Sequence, residues 1–198
     1  MREVVALFFV LLQASIDIWY CRQIVRGKIA PALTTWLLFF VGTSASLGSY
    51  VARGRWSLVS GVGNTFDVFG TFVIAAVLIF SGHRKVRRFD IWCLSAAGVL
   101  LFVWAVAHQH LIVNLSMQAL MVVAYGPTLG KLWRADENTE DVWFWVVCFA
   151  ASVLAAYPPL AARDALQSVY ALRAVVCTAV VIALSVRLQF HSRKGVRA

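Results

Sequence analysis

Residues 57–80 read SLVSGVGNTFDVFGTFVIAAVLIF, and this stretch decides the fold. Its single charge is Asp67, and everything around it is apolar or small and neutral. A helix needs about 20 such residues to cross the ~30 Å hydrocarbon core of a bilayer. The length and the lack of strict alternation exclude a barrel strand, so the backbone must bond internally as a helix. Arg53 and Arg55 precede the stretch, and Arg84, Lys85, Arg87 and Arg88 follow it. Working outward, similar runs cover 4–21, 31–51, 90–107, 111–131, 142–160 and 165–188. The pattern predicts an all-α integral membrane protein with seven transmembrane helices and short loops.

Composition agrees. The 198-residue chain is 61% hydrophobic and 14% charged, with a mean hydropathy of +0.78. A soluble domain is typically ~45–50% apolar and ~25% charged, so this chain has too little polar surface to cover a globule in water. The net charge of +9 would suggest nucleic acid in a soluble protein. Here the basic residues flank apolar runs, which assigns them to topology and removes nucleic acid as a partner. Cys21, Cys93, Cys148 and Cys177 lie far apart without CxxC spacing and read as packing residues. Met1–Tyr20 lacks a small-x-small cleavage site and reads as the first span rather than a leader.

Basic residues also set orientation. Arg2, Arg53, Arg55 and Arg163 fall on one side. The other side holds Arg22, Arg26 and Lys28, the 84–88 cluster, Lys131, Arg134, Arg187, Arg193, Lys194 and Arg197. The second, richer side should face the cytosol, leaving the N-terminus outside and the C-terminus inside. The Ala/Arg/Val-rich composition leans toward a bacterial inner membrane.

Shifting the chain by 107 residues lays one half on the other. Trp36 falls on Trp143, Leu47 on Leu154, Tyr50 on Tyr157, Thr71 on Thr178 and Ala76 on Ala183. The shift carries helix 1 onto helix 5 and leaves helix 4 unpaired. The expected layout is 3+1+3 with parallel triplet repeats: 1–83, a linker helix at 88–108, 109–190, and a basic cytosolic tail at 191–198. Repeats of this kind are common among transporters.

One segment carries a family resemblance: Tyr125-Gly126-Pro127-Thr128-Leu129-Gly130-Lys131-Leu132-Trp133-Arg134. It resembles the proline-centred end of a helix and the basic loop of the SWEET/PQ-loop transporter superfamily, whose members include sugar SWEETs, PnuC-type vitamin transporters and the KDEL-receptor fold. In the first half the shift places Tyr20-Cys21 at the corresponding position, and Pro31 opens helix 2. The resemblance implies seven helices in a 3+1+3 arrangement, alternating access between two triplets, and hinge or gating roles for Pro127 and Pro31. It also allows a non-transporting receptor or sorting protein on the same fold.

Polar residues inside the spans are the candidate site. A charge at the bilayer centre costs ~2.5–3.5 kcal/mol on insertion scales, so such residues usually face a cavity or a partner. They are Asp17, Asp67 and Arg173, with Gln13, Asn64, Asn114 and Gln118 beside them. Gln13 and Asp17, Asn64 and Asp67, and Asn114 and Gln118 are each three or four apart and share a helix face. All sit on helices 1, 3, 5 and 7. Asp67 and Arg173 lie about ten residues in, or ~15 Å at 1.5 Å rise per residue, near the middle of the membrane. Two readings stand. These residues form a substrate pocket, in which Asp67 and Arg173 bind a small polar or zwitterionic solute or exchange partners in a proton-coupled cycle. Alternatively, Asp67 and Arg173 form a structural ion pair between the triplets.

Further residues carry paired readings. Asp17 binds solute or sits near the cytosolic interface. Trp36 and Trp143 wall the pocket by stacking or belong to an interfacial aromatic belt, as Tyr50 and Tyr157 do. His108-x-His110 is too sparse for a metal site. Asp136, Glu137, Glu140 and Asp141 read as a solvated first turn of helix 6, where acids suit the dipole, with a gate latch as the rival. No HExxH, glycine-rich nucleotide loop or lysine deep in helix 7 is present, so no enzymatic chemistry and no cofactor is expected. The sequence therefore predicts a membrane transporter for a small polar metabolite. A sorting receptor or a lipid-handling protein is the alternative.

Overall fold

The structure, a computed structural model, describes residues 2–52, 58–83, 85–106, 110–135, 138–161 and 165–195. Among these the chain forms seven helices and no strands. They are α1 (Arg2–Val25), α2 (Leu33–Ala52), α3 (Leu58–Phe80), α4 (Arg88–Val106), α5 (His110–Arg134), α6 (Val142–Ala161) and α7 (Ala165–Gly195).

Local sequence explains where the helices end. At the end of α1, Gly27 takes φ +66°, Lys28 N donates to Gln23 O at 3.0 Å, and Gly27 N donates to Ile24 O at 2.9 Å. At the end of α3, Gly82 takes φ +78°, with His83 N to Leu78 O at 3.0 Å and Gly82 N to Ile79 O at 3.2 Å. Both are Schellman caps, in which a left-handed residue without Cβ lets the last carbonyls be satisfied. α4 starts with Asp90 reaching back to accept from Arg87 N at 2.9 Å, the acid half of a capping box. α6 starts with Asp141 accepting from Trp143 N and Phe144 N at 2.9 and 3.2 Å, an N-cap. The sequence reading ended helix 7 at 188 and left 191–198 as a tail. The helix instead runs on to Gly195, because nothing between 189 and 194 breaks it.

The helices pair in matched sets. α3 packs on α1 and α2, and α7 packs on α5 and α6. α1 meets α6, and α2 meets α5. α4 lies at the edge, packed mainly on α5. Its seat is Gly126 and Gly130, where the Phe89 ring and the Cys93 sulfur occupy the space that side chains would fill. Small residues four apart let helices approach closely in this way. Gly42 gives the same close approach of α2 to Met121 on α5.

Two helical stretches among the described residues, Arg88–Val106 and Leu172–Phe190, are long and apolar enough to cross a membrane. Shorter apolar stretches occupy Leu33–Gly48, Thr65–Phe80 and Val142–Ala156. The outer faces of the helices are themselves apolar: Phe8, Leu11, Phe69, Phe80, Trp92, Phe102, Trp133 and Phe190 are all exposed. The interior is aromatic and hydroxyl-rich, with Tyr20, Phe144, Thr35 and Thr128 fully or almost fully enclosed.

Candidate functional site

Two polar clusters lie inside this apolar frame. The first belongs to α1 and α3. Gln13 Nε2 donates to Asp17 Oδ1 at 3.1 Å, as their i, i+4 spacing allows. The Asp17 carboxyl packs on Gly70 of α3, where a side chain on the glycine would displace it. One turn before Gly70 stands Asp67, within electrostatic reach of Asp17. Cys148 on α6 lies within reach of both carboxylates. Asp17 is therefore a buried group.

The structure thus brings Gln13, Asp17 and Asp67 together. Gln118 is buried on α5, and its Oε1 has no hydrogen-bond partner among the described residues. Arg173 is half-buried on α7, four residues from Cys177, which feels its charge. α3 and α7, the helices of Asp67 and Arg173, are not among the directly packed pairs of the described residues. The side chains of Tyr50, Asn64, His110, Asn114 and Tyr157 lie outside the described residues, as do His108, Asp136, Glu137, Arg53, Arg55 and Arg163.

The second cluster closes one end of the bundle, where α1, α3 and α5 end and α2, α4 and α6 begin. Tyr20 stacks on Phe144, with ring centroids 3.9 Å apart, and lies 5.3 Å from Trp36, which in turn lies 6.3 Å from Trp145. The Tyr20 hydroxyl donates to Glu140 Oε2 at 2.8 Å, and Trp145 Nε1 donates to the same oxygen at 3.3 Å. Trp19 Nε1 donates to Asp141 Oδ2 at 2.9 Å. On the other side of this end, Thr35 Oγ1 accepts from Thr128 N at 3.1 Å and shares a 2.9 Å hydrogen bond with Thr128 Oγ1. Thr128 follows Pro127, which has no N–H to give to the helix, so α2 stitches α5 at its proline turn. Pro31 lies in the connection before α2, where its neighbour Ala30 donates N–H to Thr139 O at 3.1 Å and accepts from Lys131 Nζ. Thr34 Oγ1 donates to Asp90 Oδ2 at 3.4 Å, which ties α4 to the same end.

Burial pushes the Glu140 carboxyl above its ordinary value. The Lys131 ammonium and the hydrogen bonds from Tyr20 and Trp145 pull against that shift.

Sequence reasoning placed Glu140 in a solvated helix turn; it is 4% exposed, because the Tyr20 and Trp145 donors draw it inward. Asp141 does serve the helix dipole, as the N-cap of α6. The two tryptophans related by the 107-residue shift part ways. Trp36 is 4% exposed within the aromatic layer, which removes it from an interfacial belt. Trp143 is 73% exposed on the outer surface and does not wall an internal space. Tyr20 and Glu140 were missed as partners because only folding brings positions 120 apart together. The one visible sign was an acid two residues before an apolar helix.

No family model matches the chain, and no curated protein or solved structure matches it.

Proposed function

We propose that this chain is an integral membrane carrier of the SWEET/PQ-loop type, moving a small polar metabolite between two three-helix units. The observation that carries the reading is the pairing of helices. Exchange α1 with α5, α2 with α6 and α3 with α7, and the packed pairs among these six map onto themselves, with α4 left over as the linker. That is the packing expected of a 3+1+3 repeat whose halves rock about a central site. The exposed Phe, Leu and Trp side chains around the bundle suit a lipid solvent, since a water-soluble monomer rarely shows apolar patches of that extent. Arg22, Arg26, Lys28, Arg87, Arg88, Lys131 and Arg134 belong to connections or helix ends at one end of the bundle, which on the positive-inside rule faces the cytosol.

In this reading the solute binds at mid-depth against Asp17 and Asp67, with Gln118 and Arg173 contributed by the second unit. Two neighbouring carboxylates in an apolar frame favour a solute bearing a cationic group, free or zwitterionic. The Tyr20–Trp36–Phe144–Trp145 layer and Glu140 then form a closed cytosolic end. Opening it would require the α1–α6 contacts to part.

The test is thermal unfolding of detergent-purified protein against sugars, nucleosides, vitamins, amino acids and amines. A ligand at 100 times its Kd stabilises the folded state by ~2.7 kcal/mol when it does not bind the unfolded chain. The expected result is a shift with a cationic or zwitterionic solute that disappears in Asp67→Asn, followed by uptake of that solute into proteoliposomes. A shift retained in Asp67→Asn removes Asp67 from the site. Binding without uptake replaces the carrier with a receptor.

A further inference from the structure

A groove of about 440 Å³ runs along the outside of the bundle between α1 and α3 and opens sideways. That volume is within the roughly 300–1,000 Å³ of ordinary ligand sites. Its walls are Ile18 and Val25 from α1 and Phe66, Phe69 and Val73 from α3. Asp17 also borders the groove, but its carboxyl is held by Gln13 and packed on Gly70, so the groove offers mostly hydrocarbon along its length. At one end, and only there, it becomes basic: Arg22 and Arg26, four residues apart on one face of α1, complete the lining. Both are exposed and stand at the basic end of the bundle, next to the Gly27 cap.

An apolar channel closed by a pair of arginines has the polarity of a phospholipid. A sugar or nucleotide would find few hydrogen-bonding groups along the walls, since Asp17 is already engaged by Gln13, and a neutral lipid would leave the arginines unanswered. Guanidinium groups bind phosphate through paired N–H donors, and basic pockets at the cytoplasmic ends of membrane helices hold anionic headgroups. We infer that the α1–α3 groove seats one acyl chain of an anionic phospholipid, with its phosphate at Arg22 and Arg26. This rests on the bilayer reading above, but not on transport. It assigns the lateral face of the first helix trio a lipid that would brace α1 against α3 beside Asp17.

Native mass spectrometry of the full chain, released from phosphatidylcholine nanodiscs containing a minority of phosphatidylglycerol, tests the inference. The expected result is one retained phosphatidylglycerol. Each basic residue near an anionic headgroup contributes about fivefold, so Arg22→Gln with Arg26→Gln should cut retention about 25-fold. Lys85→Gln with Arg87→Gln, which removes equal charge from the same end but off the groove, should change it by less than about twofold. Val73→Trp, which fills the groove and keeps both arginines, should also release the lipid. Excess inorganic phosphate should not displace it, since the chain supplies part of the hold. Equal losses from the two charge pairs, or retention in Val73→Trp, overturn the groove site. A chain that does not enter nanodiscs as a helical protein defeats the bilayer reading instead.

Discussion

The seam between α1 and α6 and the seam between α2 and α5 do the same mechanical work with different chemistry. Each joins the end of one helix to the beginning of another at the same end of the bundle. At the α2–α5 seam the link is neutral: Thr35 with Thr128, beside Pro127. At the α1–α6 seam it is a phenol and an indole on a buried carboxyl: Tyr20 and Trp145 on Glu140. The 107-residue shift lays Tyr20 on Pro127, so one position in each half has become a seam. The Thr35–Thr128 link itself has nothing to titrate, although Lys131 and Asp90 lie beside it through Ala30 and Thr34. The acidic seam contains a group whose charge depends on pH and whose burial penalises that charge. A pair of seams built this way can be weakened one at a time.

The largest expected effect separates the seams by packing. Tyr20 is fully enclosed and stacked on Phe144. Tyr20→Ala should destabilise the protein by about 3–5 kcal/mol, the range for truncating buried large aromatics, measured by chemical unfolding in detergent. Thr35→Val keeps the volume and removes the hydroxyl that serves Thr128. It should cost about 1–3 kcal/mol, the penalty for a buried polar group left without its partner, and Thr35→Ser should recover most of it. Equal losses in Tyr20→Ala and Thr35→Val would mean that the aromatic layer carries no special weight.

What the sequence revealed of this comparison depends on how local each feature is. Seven apolar runs separated by charges gave the helices, because length and hydropathy are properties of contiguous residues. Gln13 and Asp17 were legible as neighbours, since four residues is one helical turn. The closeness of Asp17 and Asp67 was not, because it depends on which face of α1 meets Gly70. Trp36 and Trp143 match in register and differ in environment for the same reason. Register along a helix can be read from spacing, whereas its rotation toward a neighbour is fixed only by the whole bundle. The Gly126–Gly130 seat for α4 sat unnoticed inside the segment that carried the family resemblance.

The next effect is a difference in pH dependence. The Glu140 carboxyl is raised in the folded state above the unfolded value near ~4.3. The folded protein therefore binds that proton more tightly. Its contribution to stability is full below the unfolded value and declines as pH rises through the folded one. Glu140→Gln keeps an acceptor for Tyr20 and Trp145 but cannot ionise. The wild type should lose stability relative to Glu140→Gln as pH rises from about 4, while Thr35→Val should run parallel to the wild type. Parallel curves for Glu140→Gln and the wild type would show that the acidic seam is as insensitive to pH as the neutral one.

The smallest effect is expected at the residue that most resembles Trp36 by register. Trp143 projects from α6 at 73% exposure, one position before Phe144 and two before Trp145, both of which are enclosed. Its backbone N–H is held by Asp141, and that bond does not involve the indole. Trp143→Ala should therefore shift unfolding by no more than ~0.5 kcal/mol, as surface substitutions away from packed features do. Trp36→Ala should instead fall in the range of about 3–5 kcal/mol. If Trp143→Ala proved as costly as Trp36→Ala, its ring would have to be covered in the assembled state, and the acidic seam would extend outward through α6 to whatever covers it.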